Sequence, residues 1–275
     1  MTRVAGVIGS PVTHSLSPAI HNAAFAAGGV DAVYGAFEVA PGRAGAALDA
    51  VRTLGLLGLS VTTPHKEDVA DAVDELAPAA AALHSVNTVV VGRAGQLVGH
   101  STDGDGFVAA VAAAGVELTG TRVALVGGGA AARSLVDALG RAGVADIAVI
   151  NRSESRAEVA AALTPTGRVG SVDDIGAADV VVNATSVGMG TAELPFDVAR
   201  LRPDQVVADV VYHPLETALL AAAGERGCRT VDGLAMLVHQ AVLQQELWLG
   251  FRPDSAVLRA AAEDELVRRV ELARP

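Results

Sequence analysis

Short apolar runs alternate with helical patterns along residues 1–100. The runs VAGVIG, AVYGAFEV and LLGLSVT are typical of strands, and apolar positions at helical spacing begin at Ser17 and recur over residues 43–53. This βαβαβ order favours a mainly parallel sheet covered by helices. The segment VNTVVVGRAGQLVGH predicts a hairpin that turns at residues 93–96.

The alternation starts again after residue 120. The segments RVALVGGG, ADIAVINR, DVVVNAT, QVVADVVY and CRTVDG predict strands, and helical patterns follow the first two. Such a series is typical of a doubly wound nucleotide-binding fold. Beyond residue 233, two helical stretches predict helices that pack back on one lobe. We therefore expect an α/β protein with two lobes. Residues 1–103 and 237–275 form a mainly parallel α/β lobe, and residues 104–236 form a Rossmann-like, doubly wound lobe.

The composition narrows the class of partner. The formal net charge of −11 disfavours a nucleic-acid binder, because such proteins concentrate positive charge against phosphates. A small molecule is the expected partner. No apolar run reaches the roughly 18 residues of a membrane helix, and the segment MTRVAGVIG does not have the features of a secretory signal. We expect a cytoplasmic protein with no membrane partner. Cys228 is the single cysteine, which excludes an internal disulfide.

Lys66 is the only lysine of the chain. An ion pair can use arginine equally well, whereas a proton donor must be able to lose its proton, which a guanidinium effectively cannot do in a protein. Lys66 is therefore a candidate for acid–base chemistry, and a surface lysine without function is the alternative.

A glycine-rich turn follows the apolar strand at residues 123–126. Gly127, Gly129 and Ala132 fit the pattern G-x-G-x-x-A, and a helical pattern follows. The first glycine permits the tight turn, the second lets a pyrophosphate approach the backbone, and the small third residue lets the helix pack near the strand. The phosphates then lie on free N–H groups at a helix N-terminus. This arrangement predicts dinucleotide binding.

The end of the next strand indicates which dinucleotide binds. An NAD enzyme places an acidic residue about 20 positions further on, but this chain has Asn151, Arg152, Ser153 and Arg156 there. Guanidinium and short polar groups suit a 2′-phosphate. We therefore predict NADP in preference to NAD. The alternative is a helix start capped by Ser153 beside solvated arginines.

Several polar residues of the first lobe stand where strands end or helices begin. In SPVTHSLSPAIHN, Ser17 followed by Pro18 predicts an N-cap. Together with Ser15, it also offers hydroxyls to a carboxylate at a helix N-terminus. The strings GLSVTTPHK, SVNTV and GHSTDGDGF come next, and they contain Thr62, Lys66, Asn87 and Asp103.

The order of these strings resembles the shikimate dehydrogenase family. Strings close to the family's HS-x-S-P, V-T-x-P-x-K, x-x-N-T, T-D-G, G-x-G-G-A-A-R, N-R-[ST], N-A-T-S-x-G-M, D-x-x-Y-x-P-x-x-T and M-L-x-x-Q-A occur in this order between residues 6 and 250. The resemblance implies the reversible, NADPH-dependent reduction of 3-dehydroshikimate to shikimate, a step of aromatic amino-acid and chorismate biosynthesis. It also implies a substrate-binding domain of residues 1–103 and 237–275 and an NADP-binding domain of residues 104–236.

The resemblance further implies a role for each matching residue. Lys66 and Asp103 would form the catalytic pair, in which Lys66 passes a proton to the carbonyl oxygen as hydride arrives, or mainly stabilises the alkoxide. The residues that would bind the substrate are Ser15, Ser17, Thr62, Asn87, Tyr212 and Gln240. The residues that would lie against the cofactor are Gly127, Gly128, Gly129, Ala130, Ala131, Asn151, Arg152, Ser153, Arg156, Asn183, Ala184, Thr185, Ser186, Met189, Val210, Gly233 and Met236.

Three positions depart from the family's pattern. Ser60 and Ser101 stand beside the substrate pocket where asparagine is common, so a dehydrogenase of quinate or an aminoshikimate is the first alternative. Ala130 replaces a glycine of the phosphate loop, which a negative φ would tolerate. A catalytically silent NADP-binding regulator is the second alternative, although Lys66 and Asp103 are intact. A folate-type dehydrogenase is the third, and it does not account for the paired serines.

The histidines do not predict a metal site. They have no H-x-x-x-H pair and no third carboxylate ligand, and they are scattered along the chain, among them His14, His65, His84, His100 and His239. Because hydride transfer to a carbonyl needs no metal when a lysine polarises it, we expect no metal. A homodimer is the assembly we consider, although no motif specifies it.

Overall fold

Two units make up residues 1–272, which are the residues that the computed structural model describes. The first unit contains residues 1–102 and resumes at residue 238, and the second contains residues 103–237. Residues 273–275, at the end of the predicted substrate-binding domain, lie outside the described residues.

The elements of the first unit come from both ends of the chain. Its strands are β1 (Arg3–Gly9), β2 (Ala32–Glu38), β3 (Gly58–Val61), β4 (Glu75–Leu76), β5 (Thr88–Val91) and β6 (Leu97–His100). Its helices are α1 (Ser17–Ala27), α2 (Ala44–Leu54), α3 (Lys66–Ala72), α4 (Pro78–Leu83), most of α10 (Gly233–Leu249) and α11 (Ser255–Leu272). Among the described helices, none combines the length and the apolar character that crossing a membrane requires.

The second unit alternates strands and helices. Its strands are β7 (Arg122–Val126), β8 (Asp146–Ile150), β9 (Gly167–Val169), β10 (Val180–Asn183), β11 (Val206–Asp209) and β12 (Arg229–Val231). Its helices are α5 (Asp103–Ala113), α6 (Ala130–Arg141), α7 (Glu154–Ala161), α8 (Asp174–Ala177) and α9 (Ala218–Glu225), with a 3₁₀ turn at Val198–Arg200.

The sheet of the first unit is mixed, with the strand order β2-β1-β3-β5-β6-β4. Strand β1 is parallel to β2 and β3, β4 is parallel to β6, and β5 is antiparallel to β3 and β6. The β5–β6 pair confirms the predicted hairpin. The sequence did not predict β4, because two residues are too few for a periodic signal.

The sheet of the second unit is wholly parallel, with the strand order β12-β11-β10-β7-β8-β9. Counted from β7, this is the 3-2-1-4-5-6 order of a doubly wound fold, which confirms the Rossmann-like prediction. Alternate residues of β7 pack into different cores: Val123 and Leu125 into one, Ala124 and Val126 into the other. A parallel strand covered on both faces needs an uninterrupted apolar run, and VALV at residues 123–126 provides it.

Close packing of α5 on α6 explains the glycine of the T-D-G string. A Cβ added to Gly104 would clash with the backbone oxygen of Ser134 and would lie 2.8 Å from Cβ of Ala138. Only a residue without a Cβ allows this approach. Gly104 therefore fixes the first turn of α5, where Asp103 is the first residue.

Candidate functional site

The loop between β1 and α1 holds the two candidate carboxylate-binding serines. Helix α1 begins at Ser17 with Leu16 in the N-cap position, so the predicted N-cap role of Ser17 is wrong. The Ser15 N–H donates to the carbonyl of Val12, and the turn brings the Ser15 Oγ to 3.2 Å from the Ser17 N–H, which it accepts. The Ser17 hydroxyl hydrogen-bonds the Tyr34 hydroxyl.

A chain of buried hydrogen bonds continues from Tyr34. The Tyr34 hydroxyl donates to the Ser60 Oγ at 2.6 Å, and the Ser60 hydroxyl donates to the Gln244 Oε1 at 2.6 Å. The Gln244 amide donates to the backbone oxygen of Asn87 at 3.4 Å. Burial raises the pKa of Tyr34, so its hydroxyl stays protonated. The sequence indicated Ser60 only as a departure from the family's pattern, and it gave no sign that Tyr34 and Gln244 belong to the same network.

Thr62 and Lys66 bracket a tight connection from β3 to α3. The Thr62 N–H donates to the carbonyl of Ile8 at 2.9 Å, and the Thr62 carbonyl accepts the His65 N–H at 3.1 Å. The buried His65 ring donates through Nε2 to the carbonyl of Val39 at 2.7 Å. These contacts place half-buried Lys66 in the first position of α3.

Val86 is bonded to Lys66, and the next residue, Asn87, is bonded to the segment that leads into Asp103. The Val86 N–H donates to the Lys66 carbonyl at 2.9 Å. The Asn87 Oδ1 accepts the Thr102 N–H and the Thr88 hydroxyl, both at 2.8 Å, and its amide donates to the Thr102 Oγ1 at 2.9 Å. Asn87 thus fixes the backbone of Thr102, a role that its place in x-x-N-T did not disclose.

Gln240, the last candidate substrate residue of the first unit, is buried on α10. It stands four residues before Gln244 and therefore on the same face of the helix. Tyr212 belongs to the second unit, where it is half-buried after the end of β11.

In the second unit, Gly127 turns the chain from β7 towards α6. Its φ is 134°, and an added Cβ would lie 2.7 Å from the backbone oxygen of Ala184. Nothing lies within 4 Å of a Cβ added to Gly129, which is the N-cap of α6. Ala130 begins α6, and His84 is the one non-glycine residue with a positive φ between residues 1 and 272. Ala130 therefore avoids the conformation that would demand glycine, as expected, and Ala131 follows in the same turn.

The segment after β8 lies against the glycine loop. A Cβ added to Gly128 would be 3.0 Å from Cβ of Arg156 and 3.1 Å from the side chain of Asn151. The Asn151 amide donates to the carbonyl of Ser153 at 2.9 Å, and Arg152 and Arg156 are both exposed. Ser153 is the N-cap residue of α7, but its hydroxyl pairs with Ser155 at 3.0 Å and makes no capping bond. Hence Asn151 and the Cβ of Arg156 lie beside the loop.

A buried polar cluster holds the N-A-T-S string. The Asn183 Oδ1 accepts the Thr185 hydroxyl at 2.7 Å, and the Asn183 amide donates to Asp209 at 2.9 Å. Asp209 also accepts the Thr217 hydroxyl at 2.8 Å and the Val211 N–H at 3.0 Å. Burial raises the pKa of Asp209. From D-x-x-Y-x-P-x-x-T the sequence indicated Val210 and Tyr212 as candidates, but not its first and last residues, Asp209 and Thr217, which join two loops.

The remaining candidate cofactor residues fall into two places. Ser186 and Met189 are exposed on the turn after β10. Gly233 packs against the end of β11, where an added Cβ would be 2.5 Å from the backbone oxygen of Val210, and Met236 packs on the same core as Val210. The structure thus brings Val210, Gly233 and Met236 together.

No group of three metal-ligating side chains is found within residues 1–272. Of the histidines, His65 is buried against a backbone carbonyl and His84 pairs with Asp71 at 3.0 Å.

Three parts of the chain match families of known proteins. Residues 7–89 match the shikimate dehydrogenase substrate binding domain, residues 109–189 match shikimate / quinate 5-dehydrogenase, and residues 233–263 match the shikimate 5′-dehydrogenase C-terminal domain.

Similar proteins match over nearly the whole chain. Shikimate dehydrogenase (NADP⁺) of Thermococcus kodakarensis is 46% identical over 265 residues, which cover 95% of this chain and 96% of that protein. Shikimate 5-dehydrogenase from Thermus thermophilus, solved in complex with NADP(H) and shikimate, has a TM-score of 0.88 at 32% identity and covers 95% of this chain and 99% of its own. Ligand-free 5-ketofructose reductase of Gluconobacter sp. strain CHM43 has a TM-score of 0.91 at 34% identity, with 96% and 99% covered.

Proposed function

The chain belongs to the shikimate dehydrogenase family, and we propose that it carries out the reversible reduction of 3-dehydroshikimate to shikimate with NADPH. It is an NADP-dependent oxidoreductase, and we propose that it acts in aromatic amino-acid biosynthesis. The observation that carries this conclusion is 46% identity to an NADP-dependent shikimate dehydrogenase over 95% of the chain, together with an intact Lys66. The first unit is the proposed substrate-binding domain and the second the proposed NADP-binding domain.

The substrate carboxylate is assigned to Ser15 and Ser17. The N-terminus of α1 carries partial positive charge and backbone N–H groups, and two hydroxyls lie beside it. Thr62, Asn87, Tyr212 and Gln240 are the proposed partners of the ring hydroxyls. These uncharged donors and acceptors suit a small polyol with a single anionic group.

Lys66 and Asp103 are the proposed catalytic pair. Bound NADPH supplies the hydride, which adds to the carbonyl carbon. Lys66 donates a proton to the carbonyl oxygen, so that the ketone becomes a secondary alcohol, and the reverse reaction returns that proton to Lys66. Asp103, the first residue of α5, supplies the negative charge of the proposed pair. The bond from the Val86 N–H fixes the backbone of Lys66, and the bond from the Thr102 N–H to the Asn87 Oδ1 fixes the residue that precedes Asp103.

The second unit fits NADP. The space around the N-cap Gly129 leaves the N-terminus of α6 open to a pyrophosphate. Asn151, Arg152, Ser153 and Arg156 are the proposed contacts of the 2′-phosphate. Ala184, Thr185 and Ser186 follow β10 at the carboxyl edge of the sheet, where nucleotides bind in doubly wound folds.

The ring substrate has one main competitor, and the location and assembly are predicted from the sequence alone. Quinate is the competing ring substrate, because the family that matches residues 109–189 covers both shikimate and quinate dehydrogenases. A cytoplasmic location and a homodimer stay predictions of the sequence.

A comparison of substrates tests the proposed function. We expect turnover with shikimate and NADP to exceed turnover with quinate or an aminoshikimate, and NADP to be preferred with each of them. The measurement is the initial rate of nicotinamide reduction for the three substrates with both cofactors. A higher kcat/KM for quinate would move the enzyme to the alternative specificity, and no turnover of any would favour the silent regulator.

A further inference from the structure

The loop that carries Ser15 is held by a side chain from the far end of the sequence. Arg269 of α11 donates from Nη1 to the carbonyl of His14 at 2.5 Å and from Nη2 to the carbonyl of Ser15 at 2.8 Å. A planar guanidinium can donate in parallel to two neighbouring acceptors, which an ammonium cannot do in the same way. Arg269 therefore fixes the orientation of two consecutive peptide groups.

Arg269 is itself oriented by a carboxylate one turn earlier on α11. Its Nε donates to the Glu265 Oε1 at 2.7 Å, which leaves both Nη groups directed at the loop. Arg268 binds the same carboxylate through two bonds of 2.7 Å. The two arginines hold the pKa of Glu265 at about 2, so this carboxylate stays charged.

A second charged side chain holds the other end of the loop. Glu38 accepts the Ser10 hydroxyl at 2.9 Å and the Val12 N–H at 3.2 Å. The Ser15 N–H closes the turn onto the carbonyl of Val12, and the Ser15 Oγ accepts the Ser17 N–H. The backbone position of Ser15 thus depends on Glu38 at one side and on Arg269 at the other.

We propose that Arg269 is a positioning residue for the substrate carboxylate. It holds Ser15 so that the hydroxyls of Ser15 and Ser17 face one anion, and its positive charge behind the loop favours that anion. This inference rests on the proposed function, because it concerns the carboxylate of shikimate. Arg269 acts on binding and not on hydride transfer, so its loss raises KM and spares kcat.

Neighbouring Arg268 supplies a matched control. Arg268→Gln and Arg269→Gln each remove one positive charge, and each takes one arginine away from Glu265. Of the two arginines, only Arg269 contacts the loop. We expect Arg269→Gln to raise KM for shikimate about tenfold, equivalent to about 1.4 kcal/mol, with kcat and KM for NADP close to wild type. Arg268→Gln should leave all three constants close to wild type. Arg269→Lys keeps the charge and should recover part of the loss.

Calorimetric titration of shikimate and thermal unfolding complete the test. A lower unfolding midpoint for Arg269→Gln with unchanged KM and shikimate affinity would make Arg269 a mere anchor of α11 and overturn the inference. Equal KM values for the two glutamine variants would overturn it as well. If the wild-type enzyme neither bound nor oxidised shikimate, the proposed function would fall and this inference with it.

Discussion

Lys66→Met is expected to lower kcat for shikimate oxidation by about 10³-fold or more while the affinity for NADP stays nearly unchanged. A positioned general acid–base contributes about 10²- to 10⁴-fold, and the chain has no other lysine to take its place. Lys66 begins α3 in the first unit, whereas the glycine loop belongs to the second. Replacing Lys66 should therefore lower kcat without weakening NADP binding. Steady-state kinetics measure kcat, and a binding titration measures the affinity for NADP.

Lys66→Arg distinguishes proton transfer from electrostatic stabilisation. The guanidinium keeps the positive charge but does not release its proton, so the proposed mechanism predicts a loss of about 10²-fold or more for this variant too. Asp68→Asn changes an exposed charge on the same helix and serves as the control, with kcat close to wild type. Near-normal turnover of Lys66→Arg would assign the residue an electrostatic role, and near-normal turnover of Lys66→Met would remove it from catalysis.

The double replacement Arg152→Ala and Arg156→Ala is expected to weaken NADP binding about a hundredfold and to leave NAD binding nearly unchanged. A hydrogen bond to a charged group contributes about 1.5–3 kcal/mol, and tenfold in affinity corresponds to about 1.4 kcal/mol. Both side chains are exposed, and Arg156 lies against Gly128 of the loop. The ratio of kcat/KM for the two cofactors is the measurement.

A distant arginine of the same unit controls for general electrostatics. Arg200 is exposed, pairs with Asp173 at 2.8 Å and lies outside the 151–156 segment. Arg200→Ala removes one positive charge and should change neither cofactor's kcat/KM. A wild-type preference for NAD, or an equal loss with both cofactors in the double variant, would contradict the assignment of the 2′-phosphate site.

Local sequence patterns predicted a strand with its glycine turn and a hairpin, because neighbouring residues specify both. The run RVALV followed by Gly127 specifies a buried parallel strand and a turn, and both are observed. The hairpin of β5 and β6 also followed from its turn residues. The Ser17 cap failed because the helix start depends on where Ser15 turns the preceding loop, which a two-residue pattern does not describe.

The site contacts that the sequence missed join distant residues. Ser60 and Gln244 are 184 positions apart, and Ser15 and Arg269 are 254 apart. Periodicity indicates only that Tyr34 and Gln244 face a core, not that their polar groups meet there. Arg269 stands in a helix whose charged residues are typical of a solvated face, so no local signal marks its bonds to the loop.

The most direct test of the catalytic assignment is one distance in a crystal structure with shikimate and NADP both bound: the distance from the Lys66 Nζ to the reacting oxygen of the ring. We expect the Nζ of Lys66 to lie about 2.6–3.2 Å from the ring oxygen that becomes the ketone, within hydrogen-bonding reach. A fully occupied complex in which another side chain occupies that position and Lys66 points into solvent would contradict the account.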